Sequence, residues 1–394
     1  MPSGAHPHED LNTAIGANTL EIERLSGQVD ELAAQAHVHD EPPVDPPVDP
    51  PVDPPVGEWH EEQIARAREV RALTTRGPQG NHEVFTNTFK IDGTEEGNFA
   101  VQDVAGHGVQ FQAGGGAVRN VGIFRCGTGG PDSSRRPKLK MSPQGSGSSV
   151  LVEDVNIFGG VGPQGVGGGS NDNHIILRRV LTRDISGGFT QNQGSAVAGN
   201  KVSNFASLLA EDFMAENDSG VGLWPDGSAW REFRVIRGLW QRLQGVAIFP
   251  ELGKGADIGE FRPDGTGIQG TGPTIINCGT GILIDADEIR IASAVILGTP
   301  NPILIRPGPR SGKVRNVVAS FTDSYVEFGV NSKFGMMRTV ANNGDFHFEC
   351  DHNIYAGLDP SWPVFRWMND AGNIKSYTFE EWQSFGFDLN TVLA

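Results

Sequence analysis

Leu151-Val-Glu-Asp-Val-Asn-Ile-Phe158 is answered by Ile175-Ile-Leu-Arg-Arg-Val-Leu-Thr182, and the same apolar–polar cadence runs on through the chain. Further copies read Ala117-Val-Arg-Asn-Val-Gly-Ile-Phe124, Leu208-Leu-Ala-Glu-Asp-Phe-Met-Ala215, Arg234-Val-Ile-Arg-Gly-Leu-Trp-Gln241 and Lys313-Val-Arg-Asn-Val-Val-Ala-Ser320. Aligned on a central apolar residue, they place Val121, Val155, Val180, Phe213, Leu239 and Val317 at intervals of 34, 25, 33, 26 and 78 residues. The last interval leaves room for three coils of 26. Loose repeats of this length, each carrying an alternating strand between glycine- and asparagine-rich turns, predict a solenoid. A Greek-key sandwich is the rival, but its turns recur at much shorter spacing.

A second strand type follows several of these turns, in Ser219-Gly-Val-Gly-Leu-Trp224, Gln244-Gly-Val-Ala-Ile-Phe249 and Thr280-Gly-Ile-Leu-Ile-Asp285. This rhythm resembles the pectate-lyase-like right-handed parallel β-helix, in which each strand stacks on its equivalent one turn later. The expected fold class is therefore all-β, with the β-helix over residues 81–350. A C-terminal capping segment is expected over 351–394. There Trp367 and Ser376-Tyr-Thr-Phe-Glu-Glu-Trp-Gln-Ser-Phe-Gly-Phe-Asp388 resemble the closing segment of bacterial and viral β-helix proteins. Thr378 with Glu381 reads as a capping box for a short helix, placed to cover the open edge of the last coil.

Ahead of the repeats the chain changes character twice. Over residues 1–40, Ile15, Ile22, Val29 and Ala36 fall at heptad position a, with Leu11, Asn18, Leu25 and Leu32 at d, which predicts a coiled-coil stem. Ile15-Gly-Ala-Asn18-Thr19 resembles the Ile-x-x-Asn-Thr motif of trimeric fibre stalks, and the resemblance implies an anion held by Asn18 on the axis of a homotrimer. Residues 41–57 contain Pro-Pro-Val-Asp repeats, read as a polyproline II spacer. Residues 58–80 read as a helix, Glu58 to Leu73, and a linker ending in Gly77-Pro78.

Composition narrows the partners. A formal net charge of −17 repels phosphate backbones and anionic lipid, so neither nucleic acid nor membrane insertion is expected. The widely spaced Cys126, Cys278 and Cys350 form no disulfide framework and read as buried apolar residues. No signal peptide is read at the N-terminus.

Chemistry-bearing residues are few. His37-Val-His39 would put two imidazoles on one side of an extended chain, so three chains could offer six nitrogens to a transition-metal ion. No other cofactor is implied. Asp172, Asp184, Asp212, Asp226, Glu251 and Asp257 could furnish the two carboxylates of glycosidic cleavage, but their spacing singles out no pair. The tryptophan cluster Trp224, Trp230 and Trp240, with Asp226 among them, suggests sugar contacts by Trp224, Asp226 and Trp230.

Taken together, the parts resemble a tail fibre or minor tail protein of a tailed phage or archaeal virus. The resemblance implies a virion tail protein assembled in the host cytoplasm, acting outside the cell, and joined to other tail proteins through its stem. It implies attachment to a host surface glycan or glycoprotein without catalysis. The alternative is a polysaccharide depolymerase, lyase or hydrolase, on the same scaffold.

Overall fold

Strand after strand pairs in parallel with its counterpart one coil on. Val121, Val155 and Val180 stand in one register row, and so do Val118, Val152 and Leu177 beside them. The computed structural model describes residues 59–74, 77–127, 137–143, 147–159, 164–169, 173–185, 199–227, 230–306, 317–336, 346–368 and 373–394. The stem with Asn18, the His37/His39 pair, the polyproline spacer and Asp172 lie outside the described residues. What is described is an all-β, largely parallel solenoid, consistent with a right-handed β-helix.

Each coil presents three faces. The first holds Thr94–Gly97, Ser207–Glu211, Glu232–Ile236, Glu251–Ile258, Val317–Thr322 and Phe346–Asp351 in turn. The second holds Phe99–Gln102, Met214–Glu216, Leu239–Gln241, Thr274–Ile276, Val295–Leu297, Tyr325–Glu327 and Ile354–Ala356. Three long strands, Gly116–Phe124, Ser149–Phe158 and His174–Arg183, serve both faces by turning a corner partway. The third face includes Gly199–Ser203, Val221–Asp226, Val246–Ile248 and Ile303–Ile305. Inward side chains form continuous columns. On the first face the column is Val118, Val152, Leu177, Ala210, Val235, Ile258, Ile291, Phe321 and Cys350, every one buried.

The corners are made by single residues in the left-handed region. Asn98, Asn120, Asp154, Arg179, Asp212 and Arg237 separate the first face from the second. Asp103, Arg125, Asp184, Asn217, Arg242 and Asn277 separate the second from the third, and all twelve have φ between 49° and 59°. One such residue bends the chain and resets which side chains point inward. Asparagine and aspartate accept this conformation readily; arginine does not. Each of three corner arginines instead clamps a corner aspartate one coil below. Arg125 grips Asp103 at 2.7 and 2.8 Å, Arg179 grips Asp154 at 2.7 and 2.9 Å, and Arg237 grips Asp212 at 2.9 and 3.0 Å.

Two of the aligned repeats need correction. Leu239 pairs with Met214, so the true equivalent of Phe213 is Gly238. A side chain there would strike the Trp240 ring and the Phe213 carbonyl, so the indole occupies the room that a residue at 238 would need. Val317 pairs with Phe346 on the first face, not in the Val121 row. Counted from Leu239, three coils of unequal length run through Thr274 and Val295 to Tyr325, so Val317 falls before the third is complete.

Helix α1 (Trp59–Thr74) lies against the second face. Its Ala67 and Val70 cover the outward row Leu181, Met214 and Leu239. Gln63 Nε2 donates to the Gly272 carbonyl at 3.0 Å, and Arg71 grips Glu216 at 2.7 and 2.6 Å. Burial pushes the Glu216 carboxyl up, but hydrogen bonds from Arg71 and Gln241 outweigh it and leave the group below its ordinary value. No helix among the described residues is long and apolar enough to cross a membrane.

The far end is closed by a clasp. Helix α2 (Phe379–Ser384) opens on a reciprocal capping box, Thr378 N–H to Glu381 at 2.8 Å and Glu381 N–H to Thr378 Oγ1 at 3.3 Å. It seats Trp382, fully buried, among Phe334, Phe348, Phe365 and Phe387. The buried Asp388 carboxylate accepts from Trp382 Nε1 at 2.7 Å, Tyr355 Oη at 2.8 Å, Thr391 Oγ1 at 2.6 Å and Asn353 Nδ2 at 3.1 Å. One side chain thus ties the capping segment to the last coil.

Two expectations follow from these buried groups. Asp388→Ala strands several donors at once, so it should cost about 3 kcal/mol or more, read as a lower urea midpoint with early exposure of Trp382 fluorescence. A second effect arises inside the coil, where Lys138 and Asp218 are both fully buried. Burial lifts the Asp218 carboxyl to about 7 and drops the Lys138 amine to about 8. The raised acid favours folding fully below its usual 3.8, and that contribution is lost as pH climbs to about 7. The depressed amine opposes folding below about 8, and the loss is recovered as pH climbs towards 10.5. The melting temperature should therefore dip between these two values, and the double variant Lys138→Met with Asp218→Asn should flatten the dip. A dip unchanged in the double variant would refute the assignment.

Candidate functional site

The three faces differ in what they leave open. The second is covered by α1 over the Leu181–Leu239 row. On the third, outward residues Val221, Trp224, Val246, Phe249, Leu283 and Leu304 form an apolar cluster of their own, all buried. Beside them Asp226, Glu251, Asp285 and Arg306 stand at the corner of successive coils. The Arg306 guanidinium reaches Glu251 at 2.9 Å and Asp285 at 2.5 Å, and both carboxylates are 1% exposed. Two acids are thus brought together, though Asp285 was not among the sequence candidates. Arginine already occupies the space between them.

The expected sugar contacts are corrected here. Trp230 is 1% exposed, stacked on Phe205, with its N–H given to the Glu251 carbonyl at 3.2 Å. It is a core residue. Trp224 is also buried: Lys201 Nζ sits 3.7 Å from the ring centroid, Phe249 stacks at 5.4 Å, and the indole N–H donates to Glu251 at 2.8 Å. Its ring is already engaged, which leaves no platform for a sugar. Asp226 is held by Lys201 at 2.7 Å. The other acids are placed too. Asp184 and Asp212 are corner residues, and Asp257 is clamped by Arg290 at 2.8 Å through both oxygens.

The open site lies on the first face. A groove of about 540 Å³ is lined by Arg231, Glu232, Arg234, Asp257, Arg290 and Glu349, among others. Its floor is one outward register column, Arg234, Asp257, Arg290, Ser320 and Glu349, contributed by successive coils. The Arg290 guanidinium of this lining also stands 4.4 Å from the Phe261 ring centroid. Most of the groove's acids already have a partner: Asp257 is paired with Arg290 and Glu288 with Lys254 at 2.6 Å, and Glu349 is hydrogen-bonded to His347 at 2.9 Å. Arg231 and Arg234 have no ion-pair partner among the described residues. The repeat that contains Arg234 was legible in the sequence, but only the coil register shows that its side chain faces this groove.

Beyond the groove the first face is neutralised by a ladder. Arg119 bonds Glu153 at 2.9 Å, Arg178 bonds Glu153 at 3.3 Å and Glu211 at 2.7 Å, and Arg237 bonds Glu211 at 2.6 Å. Burial raises the Glu153 carboxyl, but its three arginines outweigh that and hold it below the usual range. Glu211 behaves likewise. These carboxylates are fixed counter-charges, unsuited to accept and release protons near neutrality. Among the described residues no group of three His, Cys, Asp or Glu side chains is placed to hold a metal ion.

No protein-family model matches the chain, and no curated protein matches it. A solved structure similar to it is a mannuronic acid specific polysaccharide family 6 lyase from human gut microbiota. The likeness covers 83% of this chain and 90% of that one, at 12% identity and a TM-score of 0.28. That structure is of an enzyme, which corrects the expectation of a protein without catalysis. The viral tail-fibre and receptor-binding framing attached to that expectation is corrected with it. At this TM-score the likeness transfers neither fold nor activity, and the functional reading rests on the groove.

Proposed function

We propose that this chain is a carbohydrate-active β-helix protein that seats an acidic polysaccharide along the first-face groove and depolymerises it. The observation that carries the reading is the pair Arg231 and Arg234. On a face whose other arginines are ion-paired, these two line an open groove with no carboxylate partner among the described residues. A guanidinium offers a planar fork that suits a uronate carboxylate. The groove runs along the coil axis, so a polymer lying in it meets a new row of side chains at every coil spacing.

The groove also suits elimination better than hydrolysis. Hydrolysis needs a carboxylic acid kept protonated beside a second, ionised one. Here Glu232, Glu288 and Glu349 are exposed, and Asp257 is clamped by Arg290. Elimination needs positive charge on the uronate carboxylate, which stabilises the carbanion formed when the adjacent ring proton is removed. Arg234 supplies that charge and Glu232 is the base that takes the ring proton; the glycosidic oxygen on the next carbon then leaves with its bonding pair, is protonated by water, and a carbon–carbon double bond remains in the uronate.

The test is to incubate the protein with acidic and neutral polysaccharides, measuring binding at several salt concentrations and the ultraviolet absorbance of unsaturated uronate ends. Acidic polymers should bind and neutral ones should not, with affinity falling as salt rises. Arg234→Ala should weaken binding about 10- to 100-fold, the range of a lost charge-assisted hydrogen bond. Glu232→Gln should abolish product while leaving binding intact. Equal binding of neutral and acidic polymers, or an Arg234 variant that binds as before, would overturn the proposal.

A further inference from the structure

The outward column that forms the groove floor continues past Arg234 into a different chemistry. In unbroken register it runs Arg234, Leu209, Ile176, Leu151 and Ala117. Leu209, Ile176 and Leu151 are partly exposed although they point away from the core. The end of this stripe forms a depression of about 390 Å³ with Ala117, Leu151, Ile176, Ser149 and His174 among its lining residues. Resting on the groove reading above, we infer that the stripe is a subsite for apolar substituents, acetyl or methyl groups, carried by the same acidic polysaccharide.

Three observations favour that occupant. The stripe is continuous with the groove, one side chain per coil, so a polymer anchored at Arg234 is led directly over it. Its charged neighbours are spent: the Arg119–Glu153–Arg178–Glu211 ladder on one flank is paired along its length. The other flank is polar and largely uncharged, with His174 Nδ1 bonded to Ser207 Oγ at 2.8 Å. Among the described residues a second carboxylate would therefore find no unpaired arginine or lysine along Leu209, Ile176 and Leu151, whereas an acyl or methyl group would displace water from aliphatic surface at no electrostatic cost. The column thus reads charge at one end and substituent at the other.

The test uses one O-acetylated acidic polysaccharide and the same sample after mild alkaline deacetylation, with affinity measured by calorimetry. The wild-type protein should bind the acetylated form about tenfold tighter, the effect of burying two methyl groups. Ile176→Ser with Leu209→Ser, checked for wild-type circular dichroism, should bring the acetylated form down to the deacetylated affinity. Arg234→Ala should weaken both forms by the same factor. Equal wild-type affinity for the two forms overturns the substituent subsite and leaves the groove reading intact, and that comparison needs no variant. Failure to bind either form overturns both. A change in light-scattering mass in the serine variant, with affinities unchanged, would instead make the stripe a contact between copies of the chain.

Discussion

The structure depends on a backbone constraint at its corners. A flat-sided coil needs the chain to turn sharply between strands without losing the parallel register. A single left-handed residue does this in the least chain length, at a cost of about 1–2 kcal/mol for an L-residue that is not asparagine or aspartate. The arginines at 125, 179 and 237 adopt that conformation while clamping an aspartate at the same corner one coil below. The pairing fixes the vertical register as well, because a strand slipped by one residue would separate the partners and turn its inward column to solvent. Everything else follows from the register: the buried columns, the three faces and the groove.

The faces divide the work. One is closed by α1 and one carries a buried apolar and ionic cluster. The third, the first face, keeps an open column. The buried cluster around Arg306 is the kind of arrangement in which removing one partner is harmful because the remaining charges have nowhere to go. The groove differs in the property that matters for a ligand: among the described residues Arg231 and Arg234 have no ion-pair partner.

The strands and their parallel stacking were legible because alternation and turn residues are local signals. Leu239 and Val317 were misaligned because each corner residue resets the inward parity, which the pattern of apolar letters does not record. Cys350, set in the inward first-face column beside Phe321, is buried as its isolation suggested, but its thiol also donates to the Asp388 carboxylate at 3.2 Å. The tryptophan cluster misled for a different reason. Density along the chain says nothing about exposure, and the rings of Trp224 and Trp230 are engaged by Lys201, Phe249 and Phe205. Glu251 and Asp285 could not be paired in advance, since unequal coils leave the vertical neighbour of any acid undetermined. Arg234 was hidden by the same uncertainty.

The Asp388 clasp has a consequence for how such a chain can change over time. It is assembled from residues 350 to 391, and its hydrogen bonds among the described residues join it to the coil that carries Cys350, Asn353 and Tyr355. Coils farther up can lengthen, shorten or be duplicated without disturbing it, provided that the corner pairing is kept. The molecule therefore joins a fixed clasp to an adjustable body, so the part of the groove that lies on coils away from Glu349 is free to diverge while the clasp stays constant.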